Sequence, residues 1–340
     1  MLLYNECTMG SHLRRVQKGI GVRSSADPRT HRSELTSAGG ARSVRQNQPE
    51  ARSGLPAVGS KLVNRYGLEF VVESHVHVPT TNSLESWRQG QKSDADLYPS
   101  IIPQNLSEKL MSFIAAVDRC TPKTLLVLDT MPHLRRGTGT PDGHWVDTLG
   151  NSGSNLLFID AAQIHETHFA HEIGHMWVQY VEHAEDERVM EDASDPARLH
   201  QLSFVQSFVT DLRVNEVIAE KGFDGSMIQA DQAASVASLG RAIDAGYRPE
   251  NRREGVFMAL VLAAQIIEEH KSGANTLAKL NDTLAKVARL DGELADLATG
   301  FAGIVLQNGY RTRDQILASI DGCLILAFAY TGDEIDLERH

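Results

Sequence analysis

The hydrophobic pattern changes period part-way along the chain, and this change restricts the possible folds more than any other feature of the sequence. Over residues 69–78 apolar and polar residues alternate, which places Phe70, Val72, Val76 and Val78 on one face of a strand that Pro79 ends. Residues 124–128 and 155–160 are apolar runs of strand length. Between the first two runs, Asn105 or Ser107 can cap a helix on which Leu106, Leu110, Phe113, Ile114 and Val117 recur at helical spacing. Further helices are expected over roughly 162–182 and 197–220. Beyond Gly222 the pattern is helical throughout. Residues 256–270 are strongly apolar, as in a buried helix, and Leu277, Leu280, Leu284, Val287, Leu290, Leu294 and Leu297 step by threes and fours, with Asp291-Gly292 offering a break. Strands followed by helices predict an α+β fold, a small sheet with helices and then an all-helical extension.

The expected organisation is a basic tail at 1–60, a first domain at 61–222 and a helical extension at 223–340. The tail is rich in Arg, Ser, Gly and Pro and holds nine Lys/Arg against four Asp/Glu, so it cannot bury enough apolar surface to offset its ordering entropy and reads as disordered. The whole chain of 340 residues carries a net charge of −11, so the remainder is acidic, a sign that repels phosphate backbones and excludes nucleic acid as the expected partner of the main body. Three cysteines, Cys7, Cys120 and Cys323, are odd in number and far apart, which argues against a disulfide framework. The longest uninterrupted apolar run, residues 256–264, falls short of the about 18 residues of a membrane span. The expectation is therefore a cytoplasmic protein without a membrane segment; the oligomeric state is left open. Residues 135–154 read as a long surface loop, and an acidic loop containing Glu185, Asp186, Glu187, Glu191, Asp192 and Asp195 joins the 162–182 and 197–220 helices.

His171-Glu172-Ile173-Gly174-His175 has the pattern H-E-x-x-H. On a helix, residues four apart stand one turn above each other, so both imidazoles can converge on one ion while Glu172 projects beside it. Two His donors and a third protein ligand leave Zn2+ a fourth position for water, whose pKa the metal depresses, and a neighbouring carboxylate can take the proton. A shuffled chain of this composition would contain the pattern about 0.04 times, so chance is a weak competitor. The motif is flanked by apolar residues on both sides, as a buried metal helix should be.

In this motif and its setting the chain resembles the zincin metallopeptidases. The metzincin branch continues with a Gly and a third His where this chain has Val178 and Val181. The gluzincin branch instead takes a carboxylate from a second helix, with a residue one turn on holding a ligand His in the required tautomer. Glu191-Asp192-Ala193-Ser194-Asp195 has the gluzincin spelling, but Pro196 disfavours helical geometry there. Asp211-Leu212-Arg213-Val214-Asn215 departs from the spelling yet lies among Phe204, Val205, Phe208, Val209, Val217 and Ile218, a helical pattern. The resemblance thus implies His171, His175 and Asp211 as metal ligands, with Glu191 and Glu216 as alternatives to Asp211. Glu172 would be the catalytic base, and the amide oxygen of Asn215 would accept the free N–H of His171 or His175.

Other polar residues give weaker signals. His165 and His168 lie near the motif's helix face, and His75 and His77 share a strand face with Glu73; pocket-lining or solvated roles are commoner for such residues than metal ligation. His144, Tyr180, Arg213, Tyr247 and Tyr310 are all candidates for stabilising an oxyanion, and spacing does not choose among them. The run at 155–160, just before the motif, resembles the zincin edge strand that pairs with an extended substrate, which favours a peptide or protein substrate. No phosphate-binding loop or G-x-S-x-G elbow is present. The expected activity is zinc-dependent peptide-bond hydrolysis. Two other readings are a non-catalytic, metal-stabilised binding or regulatory module, whose fourth ligand would be His168 or a carboxylate of the acidic loop, and a zinc hydrolase of a non-peptide substrate.

Overall fold

A computed structural model describes residues 55–78, 97–130, 145–147, 154–184, 196–272 and 277–332. Most of the basic tail, most of the 135–154 loop with His144, and the acidic loop with Glu191 lie outside these residues. The described chain is mixed α+β: six strands, β1 (Lys61–Val63), β2 (Glu69–His77), β3 (Leu97–Pro103), β4 (Thr124–Asp129), β5 (Trp145–Asp147) and β6 (Ser154–Ile159), with eight helices. The helices are α1 (Glu108–Asp118), α2 (Glu166–Tyr180), α3 (Pro196–Glu220), α4 (Ser226–Asp244), α5 (Arg252–Ser272), α6 (Leu277–Leu290), α7 (Gly292–Asn308) and α8 (Arg313–Thr331).

The strands form one sheet in the order β1-β2-β3-β4-β6-β5, parallel only between β4 and β6. Two features of the sheet differ from expectation. A bulge in β2 between Val72 and Ser74 shifts its register against β3, and one extra residue reverses which side chains face which way. Phe70 and Val72 therefore join the main core, whereas Val76 and Val78 pack with Tyr98, Leu126, Leu128, Leu156 and Phe158 in a separate cluster, not on the same face as the first pair. Secondly, β6 is internal: β4 pairs along one side and β5 covers Leu156–Phe158 on the other, so the terminal strand on this side of the described sheet is β5. β3 was hidden from pattern reading by Pro99 and Pro103. Prolines lack a ladder donor, and only Ser100 and Leu128 are in register between β3 and β4.

Apart from that smaller cluster, the buried apolar residues from Leu68 to Phe328 form one continuous core to which every described helix contributes. Ser107 caps α1, its hydroxyl accepting from the Leu110 amide at 3.2 Å, while Asn105 bonds Glu69 and Gly67 instead. The leucine stripe does break at Asp291, whose carboxylate caps α7 by accepting from the Leu294 amide. Leu280, Val287, Leu294 and Leu297 of the stripe are buried. α8 is long and apolar enough to cross a membrane by length and composition alone. Its Ile316, Ile320, Cys323, Ala327 and Phe328 are buried in the core.

Candidate metal centre

The H-E-x-x-H residues lie in the middle of α2, and the start of this helix is pinned at three points. His165 is its N-cap, Nδ1 accepting from the Thr167 amide at 3.1 Å. The Asn64 amide, from the β1–β2 turn, donates to the Ile164 carbonyl at 2.7 Å, and the Glu166 carboxylate accepts from the Ser107 amide at 2.9 Å. At its other end, Ala184 bonds back to the Val178 carbonyl after His183 turns the chain with a φ of 51°.

α3 packs against α2 and brings Asp211 to the two histidines. Gly174 permits the approach: a Cβ there would stand 2.7 Å from the Cγ1 of Val214, a buried and stiff side chain. Asp211 Oδ1 lies 3.1 Å from His175 Nε2 and 3.8 Å from His171 Nε2, and one ligand atom from each residue falls within 4.8 Å of the others. Among the described residues this is the one His/Cys/Asp/Glu cluster of metal-binding geometry. Donors about 2.0–2.1 Å from a tetrahedral Zn2+ stand roughly 3.3 Å apart, between the two measured separations.

Two further observations fit a cation at this point. His171 Nε2 and Asp211 Oδ1 are buried, and among the described residues neither has a hydrogen-bond partner: the imidazoles face the carboxylate without the alignment of a hydrogen bond. The other nitrogen of His171, Nδ1, is 3.1 Å from Asn215 Oδ1. An amide oxygen can only accept, so Nδ1 carries a proton there, which leaves Nε2 as the nitrogen that a cation could take. Burial alone would raise the Asp211 carboxyl, but the two imidazoles outweigh it and hold it down at about 2. Burial would lower His175, yet the Asp211 and Glu172 carboxylates raise it above the usual imidazole value. The donor set therefore presents a carboxylate and two imidazoles in a largely desolvated place, with Glu172 buried beside them.

His171 and Asp211 open onto a cleft of about 70 Å³. Phe208 and Leu212 of α3 line it, but so do Ile228, Asp231 and Ser235 of α4 and Ala264 of α5, so the helices beyond residue 222 build part of its wall. His168 also lines it and meets Asp231 Oδ2 at 3.1 Å through Nε2. Burial, partly offset by Asp231, holds this imidazole below its usual range.

The remaining sequence candidates are placed elsewhere. Glu216 accepts from Tyr310 at 2.7 Å and from Arg311 at 3.0 Å, away from the histidines. Tyr180 donates to Asn155, Tyr247 to Glu254 and Arg213 to Glu182 and Glu220, so none of these points a spare donor at the cluster. His75 reaches the Pro56 carbonyl at 3.0 Å and belongs to an internal strand. Sequence reading overlooked the roles of Gly174 and Asp231. The former sits inside the motif, where a small residue between the two histidines allows a close helix crossing; no local pattern announces the latter. Comparison of the chain with protein-family models, with curated proteins and with solved structures found no match.

Proposed function

We propose that this protein is a zinc-dependent hydrolase of zincin-like, gluzincin-type architecture that cleaves peptide bonds. The observation that carries the proposal is the meeting of His171, His175 and Asp211 from two helices around one point, with Asn215 setting the His171 tautomer. Zn2+ at such a site supplies a Lewis acid and a water of lowered pKa. His171, His175 and Asp211 are the residues that would hold it. Glu172, one residue from one ligand and three from the other, would accept the proton of the attacking water at its carboxylate and pass it to the leaving amine. Asn215 would keep His171 Nε2 unprotonated. Phe208, Leu212 and Ile228 give the cleft beside the centre an apolar part of its wall.

A peptide substrate is favoured by the terminal strand β5, which packs beside α2 and whose outer side pairs with no other strand among the described residues, the kind of edge an extended chain can join. The reading as a metal-stabilised binding module requires a fourth protein ligand, and His168, the described candidate for that position, is turned to Asp231. The test is metal analysis of the purified protein followed by incubation with a mixed peptide library. About one zinc per chain and peptide cleavage that stops on chelation and returns with zinc are expected. Stoichiometric zinc without cleavage of any peptide would point to the binding module or to a non-peptide substrate, and absence of zinc binding would overturn the proposal.

A further inference from the structure

Arg213 lies between Asp211 and Asn215 in sequence but faces away from the histidines, and it is buried, with 9% of its surface exposed. Its guanidinium makes a two-pronged contact with Glu182, Nε to Oε2 at 3.0 Å and a terminal nitrogen to Oε1 at 2.7 Å. Glu182 follows the last turn of α2 and also accepts from the Trp177 indole at 3.2 Å. A third nitrogen contact runs to Glu220 at 2.9 Å, on Arg213's own helix. The fork thus joins the end of the helix that carries both histidines to the turn of α3 that carries Asp211.

Where α2 and α3 cross, Gly174 lies against the Val214 and Ile218 side chains, and Ile173 belongs to the same apolar core. Apolar packing fixes how closely the two helices approach, but it supplies no directional bond at the end of α2. A donor atom about 5–6 Å from that axis moves by roughly 1 Å when the helix turns by about 10°, whereas a metal ligand must be held within roughly 0.5 Å. A planar fork on a carboxylate is directional and resists such a turn.

We infer that the Arg213–Glu182 pair is a positioning device for the metal centre, setting the rotation of α3 about its axis so that Asp211 meets His171 and His175. Arg213 touches neither metal nor substrate; it acts through Asp211. This inference rests on the metal-binding reading above, and the experiment separates the two. Zinc affinity of the full chain is measured by competition with a chromogenic chelator for the wild type, Arg213→Lys, Glu182→Gln, their double variant and Glu220→Gln, with thermal midpoints of the metal-free proteins alongside. Lys keeps the charge and loses the fork. Arg213→Lys and Glu182→Gln should each weaken zinc binding roughly ten- to a hundredfold, and the double variant should bind no more weakly than the weaker single one. Glu220→Gln removes an Arg213 partner that cannot link the two helices, and it should bind zinc like the wild type.

Unchanged affinity in both Arg213→Lys and Glu182→Gln, or an equal loss in Glu220→Gln, would overturn the positioning role while leaving the metal site standing. A wild-type chain that binds no zinc would overturn the metal reading and the positioning role together. Should Arg213→Lys not fold, Glu182→Gln, whose carboxylate is partly exposed, decides by the same criterion.

Discussion

Glu172 is buried between two residues that converge on Asp211, and its neighbour His175 is raised in pKa partly by its charge. A carboxylate in that position stabilises positive charge at the centre whether or not it moves protons, so its two roles must be separated. Glu172→Gln keeps the size and the hydrogen-bonding capacity and removes the basicity. It should retain about one zinc per chain and lower the rate of peptide hydrolysis by roughly 10²–10⁴-fold, read from steady-state kinetics and metal analysis on the same sample. Loss of both metal and activity would make Glu172 a structural support of the site, and loss of neither would remove it from the mechanism. The motif itself is legible at this scale because four-residue spacing on a helix puts His171 and His175 on one face whatever surrounds them. Asp211 was legible through its apolar helical setting, which distinguishes it from the Pro-terminated Glu191 segment, but its approach to 3.1 Å from His175 depends on how two helices pack.

At the scale of elements, that packing turns on Gly174. A methyl group there would fall within 2.7 Å of Val214 Cγ1, and a β-branched side chain with no exposed surface has no room to move aside. Gly174→Ala should therefore destabilise the metal-free protein by about 1–3 kcal/mol through overpacking, measured as a lower denaturant midpoint. Adding Val214→Ala should recover part of the loss by opening the space the methyl needs. No recovery in the double variant would place the strain elsewhere. The strands teach the complementary lesson. Alternation located β2, yet it did not reveal that a bulge sends Val76 and Val78 to the other face, because a bulge is defined by the partner strand. Residues 155–160 read as a strand, but whether it lies inside the sheet or at its end was settled by β5, three residues in what the sequence presents as a loop.

For the molecule as a whole, the continuous core joins α3 to the helices beyond residue 222. Phe204 stacks at a tilt on Phe257 with 5.1 Å between ring centroids, and Phe208 lies 6.4 Å from Phe301. Each large apolar side chain left exposed costs about 1.5–3 kcal/mol, and a few such losses exhaust the about 5–15 kcal/mol by which a folded chain is stable. A fragment of residues 61–222 should therefore lack a sharp thermal transition by circular dichroism, and it should not bind zinc. A fragment that melts cooperatively near the full-length midpoint would contradict this, and would mean that the α3 surface tolerates exposure. The same continuity explains why α4 and α5 furnish Asp231 and Ala264 to the cleft.

What the sequence determined on its own is whatever repeats within a few residues: the helical character of α2 and α3, the shared face of His171 and His175, a helix start at Asn105 or Ser107, a break near Asp291, and the broad succession of strands and helices. Those properties follow from backbone geometry and local propensity, which act over one or two turns. What the tertiary structure decided is each relation between segments far apart in the chain: the distance from Asp211 to the imidazoles, the choice of Asn215 Oδ1 for His171, the internal place of β6, and the turning of Arg213 from a candidate oxyanion donor to Glu182. Such relations depend on which surfaces bury one another, and many local sequences are compatible with each local element while few sets of contacts satisfy them all at once.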